Sequence, residues 1–242
     1  MAKIFITGSS DGLGLLTALS LREKGHEVIL HARNEKRKKD VEDKLPGAYV
    51  AVADLSDPEA VKSLASELNS YGGFDAVVHN AGVYNATTRE ILHVNVLAPY
   101  ILTALMSRPQ RLIYLSSDMH RQGHAGRNFD QAALTSLNYA DSKLYVVMLA
   151  LYVSRHWQPI CANAVNPGWV PTKMGGSMAP DDLKAGYETQ VWLAEGADPN
   201  ANVSGCYFYH KTQRDYNWEA GDLVAQEKFI RYCSELTGVI MP

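Results

Sequence analysis

The sequence predicts one α/β domain built on an open parallel sheet of about seven strands, doubly wound with helices on both faces. Short apolar runs recur along the chain, and longer segments with the periodicity of amphipathic helices separate them. A glycine-rich turn joins the first apolar run directly to the first helical segment. Strands that alternate with helices in this way form βαβ units, whose parallel strands are buried on both sides.

In the first half of the chain, apolar runs predict strands at residues 3–7, 27–31, 49–53 and 75–79. Leucines spaced along residues 12–24 predict the first helix, and a charged segment over 35–44 predicts the second. Ser56 or Asp57 is a suitable N-cap for a third helix that ends near Leu68. Each of these helices returns the chain to the sheet for the next strand.

The second half continues the alternation. Its predicted strands are residues 111–115, 160–165 and 206–209, and its predicted helices are residues 89–106, 138–156, 184–194 and about 222–236. The chain shows no internal repeat, low-complexity segment or linker. Residues 1–242 are therefore predicted to form a single domain, with a short C-terminal extension over about residues 210–242.

Composition excludes several classes of function. The hydrophobic content of 46% and charged content of 20% are those of an ordinary globular protein, and the net charge of −3 gives no reason to expect nucleic acid or an anionic membrane as a partner. No apolar run has the length of a membrane span, and the N-terminus lacks a secretory pattern. Three scattered cysteines, Cys161, Cys206 and Cys233, indicate neither a disulfide framework nor a metal site. We therefore expect a cytoplasmic protein.

The glycine-rich turn predicts a phosphate site. It comprises Gly8, Ser9, Ser10, Gly12, Leu13 and Gly14, and it leads from a strand into a helix N-terminus. Backbone N–H groups and the helix dipole can hold a pyrophosphate at such a junction. The spacing differs from the usual GxGxxG, so the position of the turn at the first βα junction carries the prediction.

The end of the second predicted strand indicates which nucleotide would bind. NAD-selective sites usually place Asp or Glu there to bind the ribose 2′-hydroxyl, whereas this chain has Arg33 and Asn34. Arg33 can bind a 2′-phosphate through two hydrogen bonds, and Ser9 or Ser10 can add a hydroxyl contact. The alternative is that the basic residues here form a solvated helix face. The pattern favours NADP over NAD.

Tyr139 and Lys143 lie four residues apart on a predicted helix, so they share one face. A free tyrosine has a pKa near 10, and a fixed positive charge beside it would lower that value toward the range useful for proton transfer. Pairs with this spacing are also common on solvated helices. The functional interpretation therefore depends on whether the rest of the chain supplies a site for the pair.

At this point the sequence resembles the short-chain dehydrogenase/reductase family from Lys3 to about Phe208. The turn matches the family's Thr-Gly-x-x-x-Gly-x-Gly loop, and Tyr139 with Lys143 matches its Tyr-x-x-x-Lys motif. Further matches follow predicted strands in the expected order: Asp54, Leu55, Asn80, Ala81, Gly82, Asn95, Ser117, Pro167, Gly168, Val170 and Thr172. His79 stands where the family usually has a first Asn before Asn80.

The resemblance implies a single-domain Rossmann fold that binds NADP and transfers a hydride between the nicotinamide and a carbonyl or alcohol. It assigns Tyr139 as the general acid or base, Lys143 as the group that lowers its pKa, and Ser117 as the donor to the substrate oxygen. Asn95 would position a water near Lys143, and the residues matched above would line the cofactor. The helices at 89–106 and 138–156 resemble those that form homodimers or homotetramers in this family.

Two segments depart from the common pattern near the predicted substrate. The 22 positions from Ser117 to Tyr139 form a lengthened segment that looks like the retinol-dehydrogenase-like branch, although only 15 positions separate Asn80 from Asn95. Candidate pocket residues are Tyr84, Met119, His120, Trp169 and Met174. His120 is either catalytic or a loop histidine with local hydrogen bonds. A metal at His120 and His124 lacks a third ligand, so we predict no metal.

Other classes of function remain open at this stage. A non-catalytic NADP-sensing or scaffold protein would have the same fold, since fold does not imply function. Such a protein would usually lack one of Ser117, Tyr139 and Lys143, and this chain keeps all three. Epimerisation or dehydration is a further alternative, although such enzymes tend to have longer C-terminal substrate domains.

Overall fold

The computed structural model describes residues 1–126, 129 and 137–242. Its strands are β1 (Lys3–Ile6), β2 (Glu27–Ala32), β3 (Val50–Val52), β4 (Ala76–His79), β5 (Arg111–Leu115), β6 (Cys161–Asn166), β7 (Tyr207–Tyr209) and β8 (Thr212–Arg214). Its α-helices are α1 (Gly12–Glu23), α2 (Glu35–Glu42), α3 (Pro58–Ser70), α4 (Thr88–Glu90), α5 (Ala98–Leu105), α6 (Tyr139–His156), α7 (Leu183–Glu195) and α8 (Leu223–Thr237).

The strands form one sheet in the order β3-β2-β1-β4-β5-β6-β7-β8. All pairs from β3 to β7 are parallel, and β8 alone runs antiparallel to its neighbour β7. The predicted doubly wound α/β fold and its seven strands are confirmed. The eighth strand is an addition: its three residues are polar and exposed, so no apolar alternation indicated it.

Two apolar clusters cover the two faces of the sheet. In β1, Phe5 belongs to the cluster beneath α3, α5 and α6, whereas Ile4 and Ile6 belong to the cluster beneath α1 and α7. All three side chains are fully buried. The alternation follows from the pleat, since successive side chains point to opposite faces. The carboxyl ends of the parallel strands therefore meet at one edge, where the connecting loops assemble a site.

The helix predicted over residues 89–106 forms in three joined parts. α4 begins at a capping box of Thr87 and Glu90, continues as a π-helix over Ile91–Leu97, and ends as α5. The π segment contains Asn95, which is buried. Such wider turns are frequent at functional sites because they re-aim side chains within a helix.

The C-terminal segment packs on α6. The rings of Tyr145 and Phe229 lie 5.3 Å apart, the Tyr100 hydroxyl donates to the Val239 carbonyl at 2.8 Å, and the Trp157 indole donates to the Pro242 carbonyl at 2.8 Å. These contacts cover parts of α5 and α6, the helices predicted to form homodimers or homotetramers, with the chain's own residues. The predicted oligomer stays a prediction; against it, this covering favours a monomer.

No helix within the described ranges combines the length and the hydropathy needed to cross a bilayer.

Candidate active site

The glycine-rich turn has an open backbone geometry suited to an anion. Gly8 and Gly12 have φ of 62° and 55°, in the left-handed region that favours glycine. A Cβ on Gly14 would lie 2.4 Å from Asn80 Nδ2, so only glycine fits there. α1 begins at Gly12 with Asp11 as its N-cap, and the following N–H groups have no acceptor within the helix. These residues fit a pyrophosphate at the helix N-terminus.

Side chains from two neighbouring strands brace the turn. The Asn80 amide donates to the carbonyls of Thr7 and Gly8 at 2.9 and 3.1 Å, and the Ala81 N–H donates to the Thr7 hydroxyl at 3.0 Å. On the other side, His31 Nδ1 accepts the Gly8 N–H at 3.0 Å. Sequence reasoning did not identify His31. A polar residue in an otherwise apolar strand was the available signal.

The structure corrects the assignment of Ser9. Its hydroxyl is fully buried, donates to the Ile6 carbonyl at 2.8 Å and accepts the His31 N–H at 2.8 Å. A hydroxyl with both roles occupied beneath the turn is not available to a ligand. Ser10, which is partly exposed, remains the candidate for the predicted hydroxyl contact.

The carboxyl end of β2 presents positive charge. Arg33 is exposed and, after the hydrogen bonds from Ser56, helps to hold the pKa of Asp54 below its ordinary value. The predicted contact Asn34 serves as the N-cap of α2, with its side-chain oxygen accepting the Arg37 N–H at 2.9 Å. No carboxylate stands at the end of β2, so the residues fit a ribose that carries a 2′-phosphate.

Lys173 is a further residue that sequence reasoning missed. Its ammonium forms a hydrogen-bonded ion pair with Asp11, and Arg37 lies 3.8 Å from the same carboxylate. The pair with Lys173 is the main reason that the pKa of Asp11 lies below its ordinary value. These contacts connect the glycine-rich turn with the segment after β6, across the cleft between them.

The Tyr139/Lys143 pair occupies the first turns of α6. Asn138 and Asp141 form a capping box that starts the helix at Tyr139. The Lys143 ammonium is buried, donates to the Leu115 carbonyl at 2.8 Å and lies 5.5 Å from the centre of the Tyr139 ring. Burial lowers the pKa of Lys143 to about 8. The predicted spacing therefore places both side chains at the carboxyl end of β5.

Ser117 follows β5 and meets Tyr139. Burial raises the pKa of the Tyr139 phenol to about 12, the hydrogen bond with Ser117 lowers it, and neighbouring Tyr84 raises it. Burial is the largest of these effects. The lowering of this pKa by Lys143 stays a prediction. At neutral pH the phenol is protonated, which is the form that a general acid requires.

Within the described part of the chain, Asn95 forms three hydrogen bonds close to the Tyr139/Lys143 pair. Its side-chain oxygen accepts the Val83 N–H at 2.8 Å, and its amide donates to the Val83 carbonyl at 2.9 Å and to the Ser142 hydroxyl at 3.0 Å. A Cβ built on Gly82 would lie 3.4 Å from the Asn95 side-chain oxygen and 3.3 Å from the Lys143 ammonium. Gly82 therefore permits these two side chains to approach each other. The proposed water beside Lys143 stays a prediction.

The segment after β6 forms the opposite wall. Gly168 has φ of 86°, and its N–H donates to Asn166 at 2.9 Å. Val170 is buried, and a Cβ on Gly186 of α7 would lie 2.8 Å from it. Gly186 thus lets α7 pack closely against the segment that contains the predicted cofactor contacts Pro167, Gly168, Val170 and Thr172.

A cavity of about 850 Å³ lies between these walls. It brings together Ser117 and Tyr139 with four of the five predicted pocket residues, namely Tyr84, Met119, Trp169 and Met174. Its other lining residues are Leu13, Ser116, Asp118, Arg121, Gln122, Asn166, Pro167, Gly168, Val170, Thr172, Gly175, Asp181, Tyr207, Tyr209 and Arg214. Residues 127, 128 and 130–136 of the lengthened segment lie outside the described residues.

His120 is the predicted pocket residue that the structure places elsewhere. Its ring is fully buried, its Nδ1 lies 2.7 Å from the Ser117 carbonyl, and its Nε2 accepts the Asn217 N–H at 3.1 Å. The ring packs on Tyr207, with 4.5 Å between the centroids. Both nitrogens are occupied, so His120 shapes the turn after Ser117 and does not line the cavity.

This chain is similar to known proteins of one family. A family model described as short chain dehydrogenase matches residues 2–183. An uncharacterised oxidoreductase of Emericella nidulans is 42% identical over 257 residues, covering 100% of this chain and 99% of the relative. Retinol dehydrogenase 13 of Homo sapiens is 30% identical over 287 residues, covering 99% of this chain and 85% of the relative.

The solved structures include a short-chain dehydrogenase of Shigella flexneri complexed with NADP. It has a TM-score of 0.70 and 24% identity to this chain, and the match covers 87% of this chain and 97% of that one. The predicted resemblance, including the likeness to retinol dehydrogenases, is confirmed by these relatives. The chain belongs to the short-chain dehydrogenase family of oxidoreductases.

Proposed function

We propose that this protein is an NADP(H)-dependent carbonyl reductase of the alcohol dehydrogenase type. The proposal rests above all on Ser117 and Tyr139 lining one cavity, with the Lys143 ammonium 5.5 Å from the centre of the Tyr139 ring. The NADP-bound Shigella relative and the cationic end of β2 support the choice of cofactor. NADPH would supply the hydride, and the chain's residues supply binding, orientation and proton transfer.

The cofactor would lie across the carboxyl ends of the strands. The turn around Gly8, Gly12 and Gly14 would hold the pyrophosphate, and Arg33 with Ser10 would bind the 2′-phosphate. Further contacts would come from Leu13, Asn34, Asp54, Leu55, Asn80, Ala81, Gly82, Pro167, Gly168, Val170 and Thr172. Lys143 would bind the nicotinamide ribose, close to the carbonyl that its ammonium contacts now.

Proton transfer would use the phenol of Tyr139. The substrate carbonyl oxygen would accept hydrogen bonds from the Tyr139 and Ser117 hydroxyls, and the Tyr139 proton would move to that oxygen as the carbon is reduced. A phenol whose pKa is about 12 is protonated throughout the neutral range. Reduction uses this protonated phenol, whereas alcohol oxidation needs the phenolate.

The proposal is tested by following NADPH oxidation with a panel of aldehydes, ketones and quinones. Tyr139→Phe should lose at least about a hundredfold in kcat, because general acid catalysis is worth about 10²–10⁴-fold, and should still bind NADPH. Tyr152→Phe on the same helix is the control and should keep its activity. Full activity in Tyr139→Phe would refute the mechanism, and NADPH binding without turnover would favour a cofactor-sensing role.

A further inference from the structure

The β7–β8 hairpin brings a charged side chain and two tyrosines to one wall of the cavity. Tyr207 pairs with Arg214 across the hairpin, and Tyr209 pairs with Thr212. Residues i and i+2 of a strand share a face, and so do direct cross-strand partners. Tyr207, Tyr209 and Arg214 therefore lie on the same face, and all three line the cavity that contains Ser117 and Tyr139.

The hairpin is held in place by α7. Its two turn residues, His210 and Lys211, have φ of 48° and 62°, as a tight two-residue connection requires. The Lys211 N–H donates to the Thr189 hydroxyl at 3.0 Å, and its ammonium contacts Glu188 at 3.1 Å. The position of Arg214 relative to the cavity therefore follows from a braced element of the fold.

Among the described residues of this wall, Arg214 is the cationic group without a hydrogen bond or ion pair. The other arginine, Arg121, donates to Asp118 at 3.0 Å and to the Asp215 carbonyl at 2.6 Å. The Arg214 guanidinium forms no ion pair or hydrogen bond with any residue within the described ranges. It keeps five N–H donors in a planar fork, which is the geometry that matches a carboxylate.

Tyr207 contributes a second unsatisfied group. Its side chain is 1% exposed, and its hydroxyl has no hydrogen-bond partner among the residues that the structure describes. A buried polar atom without a partner destabilises the folded protein. Two of the described lining residues are carboxylates. Asp118 pairs with Arg121 at 3.0 Å, whereas Asp181 accepts the Trp169 N–H at 2.6 Å and keeps a negative charge that a bound carboxylate has to avoid. A ligand in the cavity that offers an acceptor to Tyr207 would satisfy this hydroxyl, and a carboxylate on the same ligand would pair with Arg214.

We propose that this wall is a subsite for a carboxylate on the substrate, bound by Arg214 and supported by Tyr207. The inference rests on the proposed carbonyl reduction and adds the class of substrate: a carbonyl compound that carries a carboxylate away from the reacting carbon. Its body packs between Met119, Met174 and Trp169, which line the same cavity.

The test compares acids with their methyl esters. The probes are 4-formylbenzoate and 4-formylcinnamate, each against its methyl ester, so that the distance from the carbonyl to the charge varies. The wild type should prefer at least one acid by about tenfold or more in kcat/KM, the range expected of a charge-assisted hydrogen bond. Arg214→Gln should remove the preference, and Arg214→Lys should keep part of it.

Lys44→Gln is the charge control, since it removes one positive charge from an exposed residue outside the cavity. It should retain the preference of the wild type. Equal use of acids and esters by the wild type, or an unchanged preference in Arg214→Gln, would overturn the subsite while leaving carbonyl reduction intact. If no probe turns over, calorimetric titration of the probes with NADP⁺ present decides: acids that bind no tighter than esters overturn the subsite.

Discussion

Acid should destabilise this protein through two buried histidines, His31 and His79. Burial lowers the pKa of His31 to about 4 and that of His79 to about 3, whereas both rings return toward about 6.5 in the unfolded chain. Between these values the unfolded chain binds more protons than the folded protein. The contribution of the two neutral histidines to stability is therefore fully present above pH 6.5 and is lost as the pH falls. From pH 7.5 to 5.5, each ring should cost about 1.3 kcal/mol of the free energy of unfolding.

The surroundings of His79 explain its low pKa. The ring stacks on Tyr114 with 4.8 Å between centroids, and Nε2 lies 3.2 Å from the Thr103 hydroxyl. Nδ1 is buried without a partner among the described residues. The surroundings of His31 are more polar. Its Nδ1 accepts the Gly8 N–H, and the nearby charge of Asp54 favours protonation of the ring. Protonated His31 Nδ1 cannot accept the Gly8 N–H, so protonation would also break this hydrogen bond to the glycine-rich turn.

The assay is urea unfolding at pH 7.5 and pH 5.5, followed by circular dichroism and extrapolated to zero denaturant. His79→Asn should lose about 1.3 kcal/mol less than the wild type between the two values. Thr103→Val, which removes the hydroxyl contact and keeps the ring, should start from lower stability and show the loss of the wild type. Equal losses in the wild type and His79→Asn would refute the reasoning.

Three further outcomes are expected. The Cβ of Gly14→Ala would lie 2.4 Å from Asn80 Nδ2, so this variant should raise the KM for NADPH at least about tenfold. The control is Gly73→Ala, whose Cβ meets nothing within 4 Å. An unchanged KM in Gly14→Ala contradicts the assignment of the turn to the cofactor. Because the pKa of Lys143 is about 8, its side chain loses the positive charge beside Tyr139 above that pH. The kcat of reduction should therefore fall above pH 8, and a profile flat to pH 10 contradicts a role for this charge. The full chain should sediment as a monomer of 26.7 kDa, and deletion of residues 222–242 should uncover α6 and cause association; a dimeric full chain contradicts this.

Most of the candidate site was predictable because its motifs are local. A glycine turn at a strand–helix junction and a Tyr and Lys one turn apart on a helix place groups in space without knowledge of the rest of the chain. The strands were predictable for the same reason, since apolar runs buried on both faces leave a strong pattern. The short polar β8 left none, and with it the position of Arg214 was missed.

The roles of buried polar groups could not be read in the same way. Ser9 and His120 look available in the sequence, and the structure uses both inside the protein. Burial and hydrogen bonding depend on which segments pack above a residue, and these segments come from distant parts of the chain. The covering of α6 by residues after 222 is a further case, because apolar periodicity shows that a face is buried without showing what covers it.

The sequence by itself determined the fold class, the family and the positions of the Tyr139–Lys143 pair, the serine and the glycine turn, because each depends on residue spacing within one or two elements. Tertiary structure decided the surroundings of that pair: the Lys143 ammonium donates to the Leu115 carbonyl, and burial raises the pKa of the Tyr139 phenol to about 12. It also decided that Arg214 lines the cavity, because strand register sets Arg214 opposite Tyr207. Both depend on desolvation and on contacts between distant segments, which residue spacing does not determine.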